Sequence, residues 1–181
     1  MNTFLVLTVI GEDRPGLVES LSDTVASHGG NWLESRMAHL AGRFAGILRV
    51  AVADDRAEDL RAALAALQDR GLSVVVERGA AAAAAPAARL RLELLGADHP
   101  GIVRDIARAL AERGINVEEL ETESVSAPMS GEPLFRATAE LHAPGELSID
   151  ELRAKLEELA EDLMVDISLD SVFRAARRNP L

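Results

Sequence analysis

The ten residues GEDRPGLVES (11–20) return as GADHPGIVRD at 96–105, 85 positions on, each directly after an apolar run. Such a repeat constrains the fold more than composition does, because duplicated sequence has to build a duplicated unit or stand idle. The register persists around it. Leu17, Leu21 and Val25 recur at i, i+4 and i+8, one face of a helix, and Ile102, Ile106 and Leu110 stand 85 positions later. Gly29 and Asn31 are matched in the same way by Gly114 and Asn116.

The rest of each half follows one plan. Phe4–Ile10 is a β-rich run, and its counterpart alternates Leu90, Leu92 and Leu94 with Arg91 and Glu93. After a small insertion, Phe44, Gly46, Leu48 and Val50 correspond to Phe135, Ala137, Ala139 and Leu141. GRFAG (42–46) reads as a tight connection between the second and third strands. Second helices are predicted on Leu60, Leu64 and Leu67, and on Leu152, Leu156, Leu159 and Leu163. Closing strands are predicted near 72–77 and 165–170. Both halves therefore read β-α-β-β-α-β. The fold class is α+β: two ferredoxin-like units in tandem, each a four-stranded antiparallel sheet with two helices on one face. The boundaries are 1–78 for the first unit, 79–88 for an Ala-rich linker, 89–171 for the second unit and 172–181 for a tail.

Away from the helices, the strands of the second half are polar, with Arg91, Glu93, Arg136, Thr138, Glu140 and His142. The first half places Val6, Thr8, Ala45, Ile47, Arg49 and Ala51 there instead. That face is either covered, by the second unit or another chain, or carries scattered surface apolar residues.

A net charge of -11 argues against direct nucleic-acid binding, which needs clustered Lys and Arg. Without cysteine there is no disulfide, thiolate metal site or Cys nucleophile. The first apolar run is too short for a membrane span and lacks a basic flank, so a cytoplasmic location is expected. His28, His39, His99 and His142 have no metal-ligand spacing, and no catalytic motif or cofactor fingerprint is present. The charged stretch 150–162 carries a leucine stripe and reads as a solvated amphipathic helix.

Chemistry is concentrated in the repeated loops. Pro15 and Pro100 suit a first helical turn, and Gly16 and Gly101 remove a side chain that would block the helix end. Asp13 and Asp98 can accept from the first free backbone N–H groups. The amides of Gly16 and Leu17, or of Gly101 and Ile102, can face a carboxylate, or the loops can be helix starts alone. Asn31 and Asn116 begin the second strands, expected to return beside the loops. Each can serve a zwitterion there, or simply cap a turn.

GEDRPGLV…HGGNW and GADHPGIV…RGINV, each within such a unit, resemble ACT domains, small modules that bind amino acids at interfaces between paired domains. Two units filling the chain, with SAPMSGEPLF (126–135) in the second, are similar to the glycine cleavage system transcriptional repressor family. The resemblance implies a cytoplasmic, non-enzymatic regulator that senses a small amino acid, glycine first. It would act through a DNA-bound transcription factor, without touching DNA or membrane, and could pair as a homodimer. The implied ligand residues are Asp13, Arg14, Pro15, Gly16, Leu17 and Asn31, and Asp98, His99, Pro100, Gly101, Ile102 and Asn116. No cofactor or metal is implied. The alternatives are an interaction module without ligand, and a ferredoxin-like enzyme or the detached regulatory subunit of one.

Overall fold

In the computed structural model, residues 1–79, 87–127, 131–144 and 148–171 are described. Residues 80–86 of the expected linker, 128–130 of the SAPMSGEPLF stretch, and the expected tail lie outside them. The chain divides into two compact units.

The first unit runs β1 (Asn2–Glu12), α1 (Leu17–Ser27), β2 (Asn31–Leu40), β3 (Arg43–Ala53), α2 (Ala57–Ala65) and β4 (Leu72–Arg78). The second runs β5 (Ala87–Ala97), α3 (Ile102–Ala111), β6 (Asn116–Ser126), β7 (Pro133–Pro144), α4 (Ile149–Leu163) and β8 (Val165–Ser171). The sheets have the same order, β2-β3-β1-β4 and β6-β7-β5-β8, with every pairing antiparallel.

Burial follows the periodicities. Leu17, Leu21 and Val25 of α1 pack on Leu5, Leu7 and Val9 of β1 and on Leu48, Val50 and Val52 of β3, all buried. In the second unit Ile102, Ile106 and Leu110 meet Leu90, Leu92, Leu94, Ala137, Ala139 and Leu141 in an equivalent core. Strand alternation then sends the intervening residues to the opposite face. There Arg91 is opposite Glu140 in the second unit, whereas Thr8 is opposite Ile47 in the first. Ile10, Ile47 and Val75 stay 45%, 49% and 56% exposed on that first face. A depression of about 550 Å³, lined in part by Val6, Ile47 and Arg49, lies on it. The 150–162 stretch lies in α4, which buries Leu152 and Leu156 and opens with a serine N-cap, Ser148 Oγ accepting from the Glu151 amide at 3.3 Å.

The copies share two departures from regular geometry. The second strand of each unit is irregular at the same position, between Trp32 and Glu34 in β2 and between Val117 and Glu119 in β6. A left-handed residue stands just before each closing strand, Gly71 with φ 76° after a 3₁₀ turn and Met164 with φ 53° at the end of α4.

Some expectations move. β5 begins at Ala87, inside the stretch assigned to the linker. α2 stops at Ala65, and Leu67 is buried from a 3₁₀ turn over Ala66–Arg70. Gly46 is not in a connection: the turn is Ala41–Gly42, both at positive φ, as a two-residue hairpin turn requires. Gly46 sits within β3, where a Cβ would meet Met37 Cγ at 2.5 Å.

Candidate functional site

The repeated loops leave their strands at Glu12 and Ala97 and enter their helices at Leu17 and Ile102. The N-cap residues are Gly16 and Gly101, with φ 89° and 106°. Pro15 and Pro100 therefore precede the cap and lie outside the first helical turn. The glycines are needed for their left-handed backbone. Around Gly16 space is open, a Cβ meeting only Glu19 Oε2 at 3.8 Å.

Neither helix start receives a side-chain cap, so Asp13 and Asp98 do not serve the amides assigned to them. Both aspartates turn toward the second strand. Asp13 Oδ2 lies 3.9 Å from His39 Nε2, and Asp98 Oδ2 accepts from Ser124 Oγ at 3.1 Å. Their backbone amides donate to the carbonyls of Gly42 and Pro133, at 3.0 and 3.2 Å. The first-turn amides thus have neither an intrahelical acceptor nor a capping side chain. Leu17 and Ile102 put their side chains in the cores, leaving only backbone for a ligand.

Arg14 and His99 are committed elsewhere. Arg14 donates through Nη2 to the carbonyl of Arg70, and His99 donates through Nε2 to the carbonyl of Leu163 at 3.2 Å. This residue ties the loop to the end of the 3₁₀ turn after α2 in the first unit and to the end of α4 in the second.

Asn31 and Asn116 are not brought to the loops of their own units. Asn31 is in register with Ala51, and Ala51 with Phe4, at the start of β1. Asp13 follows the far end of that strand, about 30 Å away at strand rise. The cause is strand order: β3 lies between β2 and β1, so β2 starts beside the start of β1. Asn116 repeats this through His142 and Arg89.

The copies also differ in charge at the first helical turn. Three residues after the N-cap glycine stands Glu19 in the first unit and Arg104 in the second. Arg104 Nη2 reaches 3.0 Å from where a Gly101 Cβ would be, and its guanidinium donates to Asp105 Oδ1 and Oδ2 at 2.8 and 3.1 Å. That hydrogen bond holds the Asp105 carboxyl below the usual carboxylate range and raises the Arg104 guanidinium. Glu19 Oε2 lies 3.8 Å from where a Gly16 Cβ would be, whereas the second helix start carries the Arg104–Asp105 pair, with Asp105 Oδ2 3.5 Å from the equivalent point. The signal that could have found this is the sequence alignment itself, GLVE against GIVR.

Comparison with known proteins agrees with this architecture. ACT domain family models match residues 3–77 and 90–161. The chain belongs to the ACT domain family. A UPF0237 protein of Methanopyrus kandleri is 30% identical over 92 residues, covering 50% of this ACT protein and 97% of the relative. A crystal structure of a protein of unknown function from Galdieria sulphuraria is similar at 32% identity with a TM-score of 0.86, over 96% of this chain and 100% of that one. A protein provisionally named a glycine cleavage system transcriptional repressor shares the fold, at 20% identity, TM-score 0.70, and 95% and 98% coverage. No helix among the described residues of this tandem ACT chain is long and apolar enough to cross a membrane.

Proposed function

We propose that this tandem ACT protein is a non-enzymatic sensor of a small amino acid, glycine first, and that its second unit holds the working site. The observation that carries this is the difference between two uncapped helix starts, with Glu19 at the first and the Arg104–Asp105 pair at the second. A ligand carboxylate settles on the amides of Gly101 and Ile102, with the Arg104 guanidinium beside it. The ligand ammonium is held by Asp98 in the same loop, whose Oδ2 is already oriented by Ser124. In the first unit the Glu19 carboxylate occupies the corresponding space and repels an anion. Asn31 and Asn116, at the far ends of their own units, take no part. The loops are open, with Asp98 and Pro100 exposed, so binding is weak, roughly 10 μM to 1 mM, or about -4 to -7 kcal/mol. Such an affinity suits a metabolite sensor. Similarity in fold to the provisionally named repressor supports an output through a transcription factor, as an accessory protein in the cytoplasm without DNA contacts of its own.

A second reading has its own support. Gly16, Gly101, Asp13, Arg14 and His99 all have roles in the fold, as an interaction module without ligand would require. Calorimetric titration with glycine, serine and alanine separates the two. The sensor reading expects saturable binding that survives Glu19→Arg and disappears in Arg104→Glu, with melting curves confirming both folds. No heat from any of them and an unmoved melting temperature would leave the interaction module.

A further inference from the structure

We infer that the outer face of the first unit's sheet packs against the same face of a second copy of this chain. This surface stands independently of the amino-acid site.

The pairing register lays the face out in rows across the sheet. Arg36, Ile47, Thr8 and Val75 form one row over β2, β3, β1 and β4, and Ala38, Ala45, Ile10 and Ser73 form the next. Arg36 is the one charge in the two rows, and Ile10, Ile47 and Val75 are about half exposed. At ordinary strand spacing and rise the face measures roughly 600 Å² in projection. That is comparable with the ~800 Å² that each partner buries in a standard stable complex.

A second copy is selected because the complement of each feature on this face lies on the face itself. The depression of about 550 Å³ is on the β2–β3 side, with Val6 and Ile47 in it and Glu34, Arg36 and Arg49 around it. Two arginines against one glutamate leave that side with an excess of positive charge. Arg49 is held there, its Nε 2.9 Å from Glu34 Oε1 and its guanidinium over the Phe4 ring at 5.7 Å. On the opposite edge, β4 raises Val75 and, in the adjoining row, Glu77, which forms no ion pair among the described residues. The strand order is β2-β3-β1-β4, so a twofold axis along the strands and through the middle of the sheet sets β4 of each copy over β2 of the other. Each Val75 then covers the depression of the other copy, and each Glu77 meets its arginine-bearing side. Sheets packed face to face keep their strands within about 30° of each other, so the match holds over these central rows.

The test is sedimentation equilibrium of the full chain, which should find a dimer in the micromolar range. Ile47→Lys, Val75→Lys and Glu77→Arg should each weaken it about tenfold. Thr138→Lys, at the position of the second unit that matches Ile47, should leave it unchanged. Thermal melts check that each variant is folded. Hydroxyl-radical footprinting should find Ile47 and Val75 shielded in the dimer and open in the Glu77→Arg monomer. A chain that stays monomeric throughout that range would overturn the proposal, as would a dimer that Ile47→Lys and Val75→Lys leave intact. A monomer in which Ile47 and Val75 are already shielded would overturn it too, giving the face to another part of the same chain.

Discussion

His99 donates from Nε2 to the backbone carbonyl of Leu163, 64 residues away, at the last residue of α4. Arg14 makes the corresponding bond to Arg70, 56 residues away, at the end of the 3₁₀ turn after α2. The residue before the proline of each decapeptide is therefore a strut in both, and the loop it belongs to is tied to the chain just ahead of the closing strand of its unit.

Removing a strut should weaken one unit alone. Arg14→Ala is expected to lower the stability of the first unit by about 1 kcal/mol, and His99→Ala that of the second by a similar amount. Urea unfolding, followed by resonances of each unit, would show this. Equal losses in both units, or none, would contradict the assignment.

The first glycine of each decapeptide answers to crowding. A Cβ on Gly96 would lie 2.4 Å from Val165 Cγ1 and 2.7 Å from Val165 Cα; on Gly11 it would lie 2.7 Å from the Gly71 carbonyl oxygen. Gly96→Ala should cost about 2 kcal/mol as β8 is pushed aside. Gly16→Ala, which meets open space, should cost about 1 kcal/mol through its left-handed backbone alone. Denaturant midpoints of the two variants should fall in that order.

Met164 occupies the position that Gly71 fills in the first unit, with φ 53° and its side chain 77% exposed. Met164→Gly should relieve the strain with little loss of buried surface, raising stability by about 1 kcal/mol. An unchanged or lowered melting temperature would mean that the methionine makes a compensating contact.

The Asp105 carboxyl is held below the usual range, first by its hydrogen bond from Arg104. Since the folded value is the lower one, the pair's contribution is present above the ordinary carboxylate pKa and lost as pH falls through the depressed value. Carboxyl NMR titration should find Asp105 titrating late on acidification, and Arg104→Ala should bring it back up. Bound glycine should also shift it, because the ligand carboxylate competes for the same guanidinium.

The architecture was legible from residues whose contacts are local in pattern. Leu17, Leu21 and Val25 declare a helix face by spacing alone, and Leu90, Leu92 and Leu94 a strand face; all six are buried. The repeat made each reading a check on the other. The site was less legible. Asp13 and Pro15 read as parts of the helix start because they neighbour it in sequence, and the resemblance implied a ligand role for Arg14. In the structure the first turns toward His39, the second precedes the cap, and the third reaches Arg70.

By itself, the sequence determined the order of elements, their buried faces and the duplication, because periodicity and turn chemistry are properties of neighbouring residues. Tertiary structure decided which distant groups meet: Asn31 apart from the loop, Gly96 against Val165, His99 on the end of α4. Those outcomes follow from the strand order β2-β3-β1-β4 and its copy. An alternating pattern specifies which face of a strand is buried, but any of several neighbours satisfies it equally, and only the closed core selects one.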